Sequence, residues 1–209
     1  DRSTLRAQAL ELCRRNLPPA GYQQPPNCVE RTARKGSPVN ASGNRATGCG
    51  GFVGWYFHEL QKLGVAIPDD RVRKTYQWTP EGGTLRTDTT EIYLTGPTFG
   101  HREVVQGIEQ RRHVGGLYVR YKPGEGRRPK PGDVYILLRA DGTTRHEGVI
   151  IDASGDTWRT ADGGQGVTGY AVGYTDRTYD AKAGTLSGGK EAGRIDGWID
   201  LEALVGLGA

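Results

Sequence analysis

Methionine is missing altogether from the 209 residues, and cysteine occurs only three times. No stretch approaches the roughly 20 apolar residues that a membrane helix needs, so we expect no membrane span. A chain that starts at Asp1 and holds no Met is expected to be an excised piece of a longer product. No cysteine pair has metal-ligand spacing with a histidine pair elsewhere, which speaks against a structural zinc site. We therefore expect no metal and no cofactor.

Glycine, at 33 residues, is well above average, whereas apolar residues, at 35%, are scarce. This composition indicates many turns around a modest core within one domain. The net charge of +4 comes mostly from arginine, but acidic residues are interspersed and only residues 127–130 form a compact basic run. The pattern favours a solvated face, or mild attraction to an anionic polymer such as cell wall, over a nucleic-acid partner.

Helices are predicted early in the chain and strands later. The helices run from Ser3 to Asn16 and from Cys49 to Leu63, the second ending at a Gly64 cap, with a short one at Arg102 to Gln110. The predicted strands are residues 76–78, 91–94, 134–138, 148–151, 157–160, 169–174 and 197–201, with a hairpin turn at 141–142. Helices followed by an antiparallel sheet predict the α+β class.

Cys13 and Cys28 leave two alternatives open. In an oxidising compartment they form a bridge and leave Cys49 free. Otherwise both are ordinary buried thiols.

Cys49 stands at the start of the second predicted helix, inside the run Thr47-Gly48-Cys49-Gly50-Gly51. A helix N-terminus presents unpaired N–H groups and a positive dipole end, which stabilise a thiolate. Glycines on both sides leave backbone N–H groups accessible to a developing oxyanion. This setting predicts a nucleophile; the alternative is a structural thiol at a tight helix entry.

Four histidines compete to be the partner of that thiol. His58 lies on the same helix, about 13 Å up the axis, and faces another direction. His101 and His113 lie in an irregular, charged segment and are expected at the surface. His146 begins a predicted strand, and a strand start at a sheet edge can face a helix N-terminus. His146 is the predicted base.

Two sequence boxes resemble those of the NlpC-type peptidases of bacterial cell walls. The nucleophile box of that family reads Asp-Cys-Ser-Gly-Phe-Val, and here it is Gly48-Cys49-Gly50-Gly51-Phe52-Val53. The second box is Pro-Gly-Asp before an apolar strand, then His-Val-Gly after a turn. Here it is Pro131-Gly132-Asp133-Val134-Tyr135-Ile136, followed by His146-Glu147-Gly148-Val149-Ile150. The boxes cover about a quarter of the chain.

The resemblance implies a minimal papain-like fold with Cys49 as nucleophile, His146 as base and a third polar group on the next strand. Where the family often has His, Asn or Gln, this chain has none. Asp162 is our first choice, because a carboxylate holds the histidine tautomer and supports an imidazolium. Thr160 and Asp156 are the alternatives.

Gly48 and Gly50 replace the Asp and Ser that flank the family's nucleophile and help to fix the substrate's free amine. We expect both glycines to line the substrate site with a specificity of their own. The stretch between Cys49 and Pro131 exceeds the family minimum. Within a single domain over 1–209, residues 65–126 are therefore expected to be an insertion that forms a wall or lid over the cleft.

The run Asp162-Gly163-Gly164-Gln165-Gly166 lacks the strand–loop–helix context and the closing Lys-Ser or Lys-Thr of a phosphate loop. We predict that it is a loop on the rim of the active site, from which Gln165 contacts substrate.

These observations predict an α+β, papain-like hydrolase that cleaves an amide in peptidoglycan peptides through a thioester. Similarity to cell-wall amidase toxins implies a monomer that is secreted or delivered into the periplasm of a competitor and is blocked by a cognate immunity protein. The alternatives are a toxin that cleaves or deamidates a host protein, and a catalytically silent binding module.

Overall fold

The computed structural model describes residues 2–23, 49–67, 90–91, 100–105, 108–113, 118–140, 144–167, 169 and 171–206. The helices are α1 (Arg2–Asn16), α2 (Cys49–Lys62) and α3 (Leu201–Gly206). The first five strands are β1 (Tyr22–Gln23), β2 (Thr90–Glu91), β3 (Gly100–Val105), β4 (Ile108–His113) and β5 (Tyr118–Arg120). The others are β6 (Val134–Leu138), β7 (Thr144–Asp152), β8 (Thr157–Gln165), β9 (Ala171–Asp180), β10 (Thr185–Ser187) and β11 (Gly193–Ile199).

Six antiparallel strands, β6 to β11, close into a barrel. Each pairs with the next along the chain, and β11 returns to pair with β6. Two short strands extend this sheet, β1 beside β9 and β5 beside β11. Strands β2, β3 and β4 form a separate antiparallel sheet.

The closed barrel shows that the predicted α+β papain-like class is wrong. Strands dominate the described chain, and the helices are small elements packed on the sheet. The sheet closes because β9 pairs with β8 on one side and β10 on the other, and β11 pairs with both β10 and β6. The sequence patterns at 169–174 and 197–201 had indicated strands too short to complete that ring.

Segment predictions elsewhere have mixed outcomes. The short helix predicted at 102–110 is wrong, because β3 and β4 pair there as an antiparallel ladder; Val104, Val105 and Ile108 are β-branched residues that favour strands. The strand at 134–138 is confirmed exactly as β6. Of the predicted strand at 91–94 only Glu91 is described, and 76–78 and the turn at 141–142 lie outside the described residues. The role of 65–126 as a lid stays a prediction.

The first two predicted helices are confirmed as α1 and α2. The end of α2 follows from Gly64, whose φ of 86° suits a left-handed cap. Its N–H donates to the Gln61 carbonyl (2.9 Å), and the Val65 N–H donates to the Leu60 carbonyl (3.0 Å). This Schellman pattern satisfies the last carbonyls of the helix and stops it at that point.

Alternation along the strands divides the core in two. Val134, Ile136 and Leu138 of β6 belong to the cluster that includes the apolar faces of α1, α2 and α3. The intervening Tyr135 and Leu137 belong to a second cluster, which fills the barrel. Because side chains of a strand alternate between faces, the helices cover the outside of the barrel and the second cluster occupies its interior.

Cys13 belongs to the outer core as a free, fully buried thiol. It is therefore not bridged to Cys28, and the alternative of an ordinary buried thiol describes it. Burial raises the pKa of the Cys13 thiol to about 12, so it is an inert packing group. Cys28 lies outside the described residues.

Candidate active site

Cys49, His146 and Asp162 come together where the start of α2 meets β7 and β8. Helix α2 packs against both strands. Its first residue is Cys49, half-exposed, while His146 on β7 and Asp162 on β8 are fully buried. Residues that lie far apart in the sequence thus form one cluster at a helix N-terminus.

His146 contacts both other members of this cluster. Its Nε2 lies 2.9 Å from Asp162 Oδ1, and the Cys49 side chain is close enough to the imidazole to raise its pKa. Since Asp162 occupies Nε2, the thiol and Glu191 are left to share the side of the ring that carries Nδ1. The imidazole therefore lies between the thiol and the Asp162 carboxylate.

The neighbours of His146 favour its charged form. Burial acts to lower the pKa of His146, but the hydrogen bonds and charges of Asp162 and Cys49 outweigh it and raise that pKa to about 10. These neighbours therefore favour the imidazolium form of the ring. A cation at this position stabilises a neighbouring thiolate.

Asp162 stays ionised although it is fully buried. Burial acts to raise its pKa, but the Arg177 charge, His146 and the Thr160 hydroxyl together hold that pKa well below its usual range. Tyr135 donates to Oδ1 and Thr160 to Oδ2, each at 2.6 Å, and Arg177 Nη2 lies 3.3 Å from Oδ2. Both carboxylate oxygens are therefore occupied and fixed.

An irregularity in β7 adjoins His146. Leu137 pairs with His146, but the next residue, Leu138, pairs with Thr144, so β7 carries one extra residue at 145. A β-bulge of this kind bends a strand and re-aims the side chains beside it.

A second irregularity follows Asp162 and corrects the prediction for the glycine run. Residues 162–165 belong to β8 and not to a rim loop. Asp162 pairs with Gly173 and Gln165 with Ala171, so β8 carries an extra residue, accommodated by Gly164 at a φ of 72°. Only glycine adopts that conformation readily, which explains why the run is glycine-rich.

Gln165 is fully buried, and its contact with substrate stays a prediction. Its Nε2 donates to the Gly163 carbonyl (3.2 Å) and to Glu191 Oε2 (2.8 Å). Gly50 lies in the first turn of α2, and Gly48 lies outside the described residues.

The other residues proposed from the sequence are not members of the group of Cys49, His146 and Asp162. Of the alternatives to Asp162, Thr160 supports the Asp162 carboxylate, whereas the Asp156 side chain is 93% exposed. His101 lies on β3 and His113 on β4, and His58 follows along α2.

Sequence reasoning missed three residues of this site: Tyr135, Arg177 and Glu191. Glu191 Oε2 lies 3.7 Å from His146 Nδ1. Arg177 shares one face of β9 with buried Thr175 and Tyr179, while Asp176 and Thr178 are exposed. That parity with Tyr179 is the signal that identifies Arg177 as an inward residue.

Comparison with protein-family models, curated proteins and solved structures finds no match. Within the described ranges, no group of three His, Cys, Asp or Glu side chains is arranged to hold a metal ion. In that same part of the chain, none of the helices has the length and apolarity to cross a membrane.

Proposed function

We propose that this protein is a cysteine hydrolase that cleaves an amide bond. The observation that carries the proposal is the grouping of Cys49, His146 and Asp162 at the start of α2, in which the imidazole is hydrogen-bonded to the buried carboxylate and neighbours the thiol. The same three chemical groups in this order activate a nucleophile in cysteine hydrolases.

The geometry supports a two-step reaction. The Cys49 sulfur attacks the amide carbon as a thiolate, and N–H groups in the first turn of α2 stabilise the oxyanion. His146 then donates its proton to the leaving amine, so that the C–N bond breaks and a thioester remains. His146, now neutral, takes a proton from water as the oxygen attacks the thioester carbon, so that the C–S bond breaks and the thiolate–imidazolium pair is restored.

A peptide stem or crosslink of peptidoglycan is the proposed substrate. Support comes from the two sequence boxes that resemble cell-wall peptidases, and from a net charge of +4 that favours an anionic polymer. The proposal extends to a toxin delivered to a competitor's cell wall and blocked by an immunity protein. A host protein that is cleaved or deamidated is the second candidate, because the same thiol and imidazole serve that reaction.

The first test incubates purified peptidoglycan with wild type, Cys49→Ala, His146→Ala and Asp156→Ala, followed by mass analysis of the released fragments. Wild type and Asp156→Ala are expected to release the same peptides, since Asp156 is exposed and outside the hydrogen-bonded group. Cys49→Ala and His146→Ala are expected to release none, and Cys49→Ala is expected to keep the wild-type melting curve. Hydrolysis by either of these two variants would refute the mechanism.

Alkylation separates the remaining outcomes. Iodoacetamide at neutral pH is expected to modify Cys49 rapidly and Cys13 hardly at all, because Cys13 is buried with a raised pKa. Rapid modification of Cys49 without peptidoglycan cleavage would transfer the proposal to protein substrates. Slow modification of Cys49, together with no cleavage of either polymer, would identify a catalytically silent module.

A further inference from the structure

Arg177 is a fully buried cation on β9 that does not touch the thiol. Towards β8, its Nε donates to Thr160 Oγ1 (3.1 Å) and its Nη2 lies 3.3 Å from Asp162 Oδ2. Towards the segment before β11, its Nη1 donates to the carbonyls of Gly188 (2.9 Å) and Glu191 (2.7 Å). One guanidinium therefore joins two separate parts of the barrel.

These two parts carry the carboxylates that face His146 from opposite sides. Asp162 lies at Nε2 (2.9 Å) and Glu191 at Nδ1 (3.7 Å). The other groups that face the ring are the Cys49 thiol from α2 and Tyr135 from β6, whose ring centroid lies 6.0 Å from that of the imidazole. Arg177 binds the side chain of the first carboxylate and the backbone of the second.

We infer that Arg177 is a positioning residue that fixes Asp162 and Glu191 on opposite ring nitrogens of His146. Its fork of donors spans a carboxylate, a hydroxyl and two carbonyls at once. A lysine ammonium has three donors at a single point and cannot reach all four acceptors. Arginine at 177 is thus required for geometry as well as for charge.

The consequence for activity rests on the proposed function, but the placement itself is measurable without a substrate. With Arg177 in place, His146 remains an imidazolium beside the thiol. Without it, Asp162 loses its largest favourable charge and the segment that carries Glu191 loses two hydrogen bonds. The loss of these contacts lets both carboxylates move away from the ring, which weakens its charged form, whereas the loss of the Arg177 charge by itself acts in the opposite direction.

Arg159 provides a matched control for this test. It forms an ion pair with Asp176, also at 3.3 Å and also between β8 and β9, but the two side chains are 44% and 61% exposed. Arg159→Gln therefore removes an arginine–aspartate pair of the same strands without touching the buried group.

The experiment follows the His146 ring signals of the full chain by NMR across pH, assigned by their loss in His146→Ala. Wild type and Arg159→Gln are expected to titrate together, well above 6.5. Arg177→Lys, which keeps the charge but not the fork of donors, is expected to titrate lower by about one pH unit or more. Arg177→Gln also removes a cation near the ring, which acts to raise the titration, so Arg177→Lys is the variant that decides. Turnover on peptidoglycan should show the same shift in its alkaline limb, with little change in KM.

Arg177→Gln removes a buried cation and is at risk of misfolding, so Glu191→Gln supplies a second variant. It keeps the Arg177 bonds to the backbone and is expected to lower the His146 titration by a smaller amount. A folded Arg177→Lys variant that titrates like wild type would overturn the inference, and so would a wild-type titration near 6.5. If the titrations shift as expected but no substrate is cleaved, the positioning role stands and the proposed function fails.

Discussion

Two buried aspartate–arginine pairs, Asp133 with Arg6 and Asp162 with Arg177, have different surroundings in this fold. Both carboxylates are almost fully buried, and each receives hydrogen bonds beyond its arginine. Only the second pair touches a histidine. The comparison shows that a buried ion pair does not by itself mark a functional site, because the identity of the third partner decides its role.

The Asp133 pair acts as a structural clamp. Asp133 accepts hydrogen bonds from the backbone N–H groups of Lys130 (2.8 Å) and Leu201 (3.1 Å) and from Arg6 (2.9 Å). Arg6 also donates to Glu202 of α3 (2.7 Å). The pair therefore links α1, the turn before β6 and the start of α3. Its partners are backbone groups and the Glu202 carboxylate, which hold these elements together.

The protonation of the two carboxylates differs accordingly. Burial raises the pKa of Asp133 to about 6 in spite of Arg6. At Asp162 burial acts in the same direction, but Arg177 and His146 supply two cations and lower the pKa. The second cation and the hydrogen bonds at Asp162 therefore account for the opposite directions of the two pKa shifts.

The largest expected effect comes from replacing Asp162 by its neutral amide, and the same substitution at Asp133 is the comparison. Asp162→Asn is expected to reduce turnover by about 10²- to 10⁴-fold, since the amide cannot support the imidazolium. Asp133→Asn is expected to cost about 1–3 kcal/mol of stability and to leave the turnover of the folded protein unchanged. Initial rates on peptidoglycan and urea unfolding of both variants test this, and equal losses of turnover would remove the distinction between clamp and site.

A smaller effect is expected from a single added methyl group. A Cβ at Gly148 would collide with Asp162 Oδ1 and meet the Tyr135 ring at 2.9 Å. Displacing the carboxylate from His146 by a fraction of an ångström to an ångström is expected to lower turnover by about 10- to 100-fold.

Gly155→Ala is the control for that substitution, because its Cβ would meet only the Thr157 N–H nitrogen at an ordinary 3.9 Å. It should retain wild-type turnover and melting temperature. If Gly148→Ala is equally active, the position of Asp162 does not limit the reaction.

The smallest effects are two pH windows in which stability falls. Burial raises the Asp133 pKa from 3.8 to about 6, so the folded state holds this proton more tightly and stability falls as pH rises between these values. Burial acts to lower the pKa of His146, but Asp162 and Cys49 have the larger and opposite effect, so this pKa rises from 6.5 to about 10. That contribution is complete below pH 6.5 and is lost as pH rises towards 10.

Urea unfolding of wild type, Asp133→Asn and His146→Gln across pH separates these windows. In Asp133→Asn the free energy of unfolding is expected no longer to fall between pH 3.8 and about 6, but still to fall between pH 6.5 and about 10. In His146→Gln only the fall between pH 6.5 and about 10 is expected to disappear. A variant that keeps both declines would show that its residue is not the titrating group.

Local patterns in the sequence were informative about local structure. Gly64 predicted the end of α2, and the apolar run at 134–138 predicted β6. The glycine-flanked Cys49 at a helix start and His146 at a strand start led to two residues that the structure brings into contact. Each of these signals depends on neighbours within a few positions.

Features that depend on distant pairing were missed. Closure of the barrel requires β11 to meet β6, and no local pattern reports that register. Arg177 looks like a solvated charge until β9 is known to extend to Asp180 and to face the barrel interior. Gly163 and Gly164 were interpreted as a loop because a strand bulge and a turn use glycine for the same backbone freedom.

The order of the strands carries a consequence for how the site assembles during folding. Tyr135, His146, Asp162 and Arg177 come from β6, β7, β8 and β9 in turn, so consecutive hairpins bring this charged group together across short loops. Cys49 arrives from a helix far earlier in the chain, and closing so long a loop costs more entropy and is slower. We therefore expect the sulfur to be the last member to join, so that alkylation during refolding reports the docking of α2. Until that stage the Cys49 thiol has no imidazolium beside it, so we expect it to react slowly on the partly folded chain.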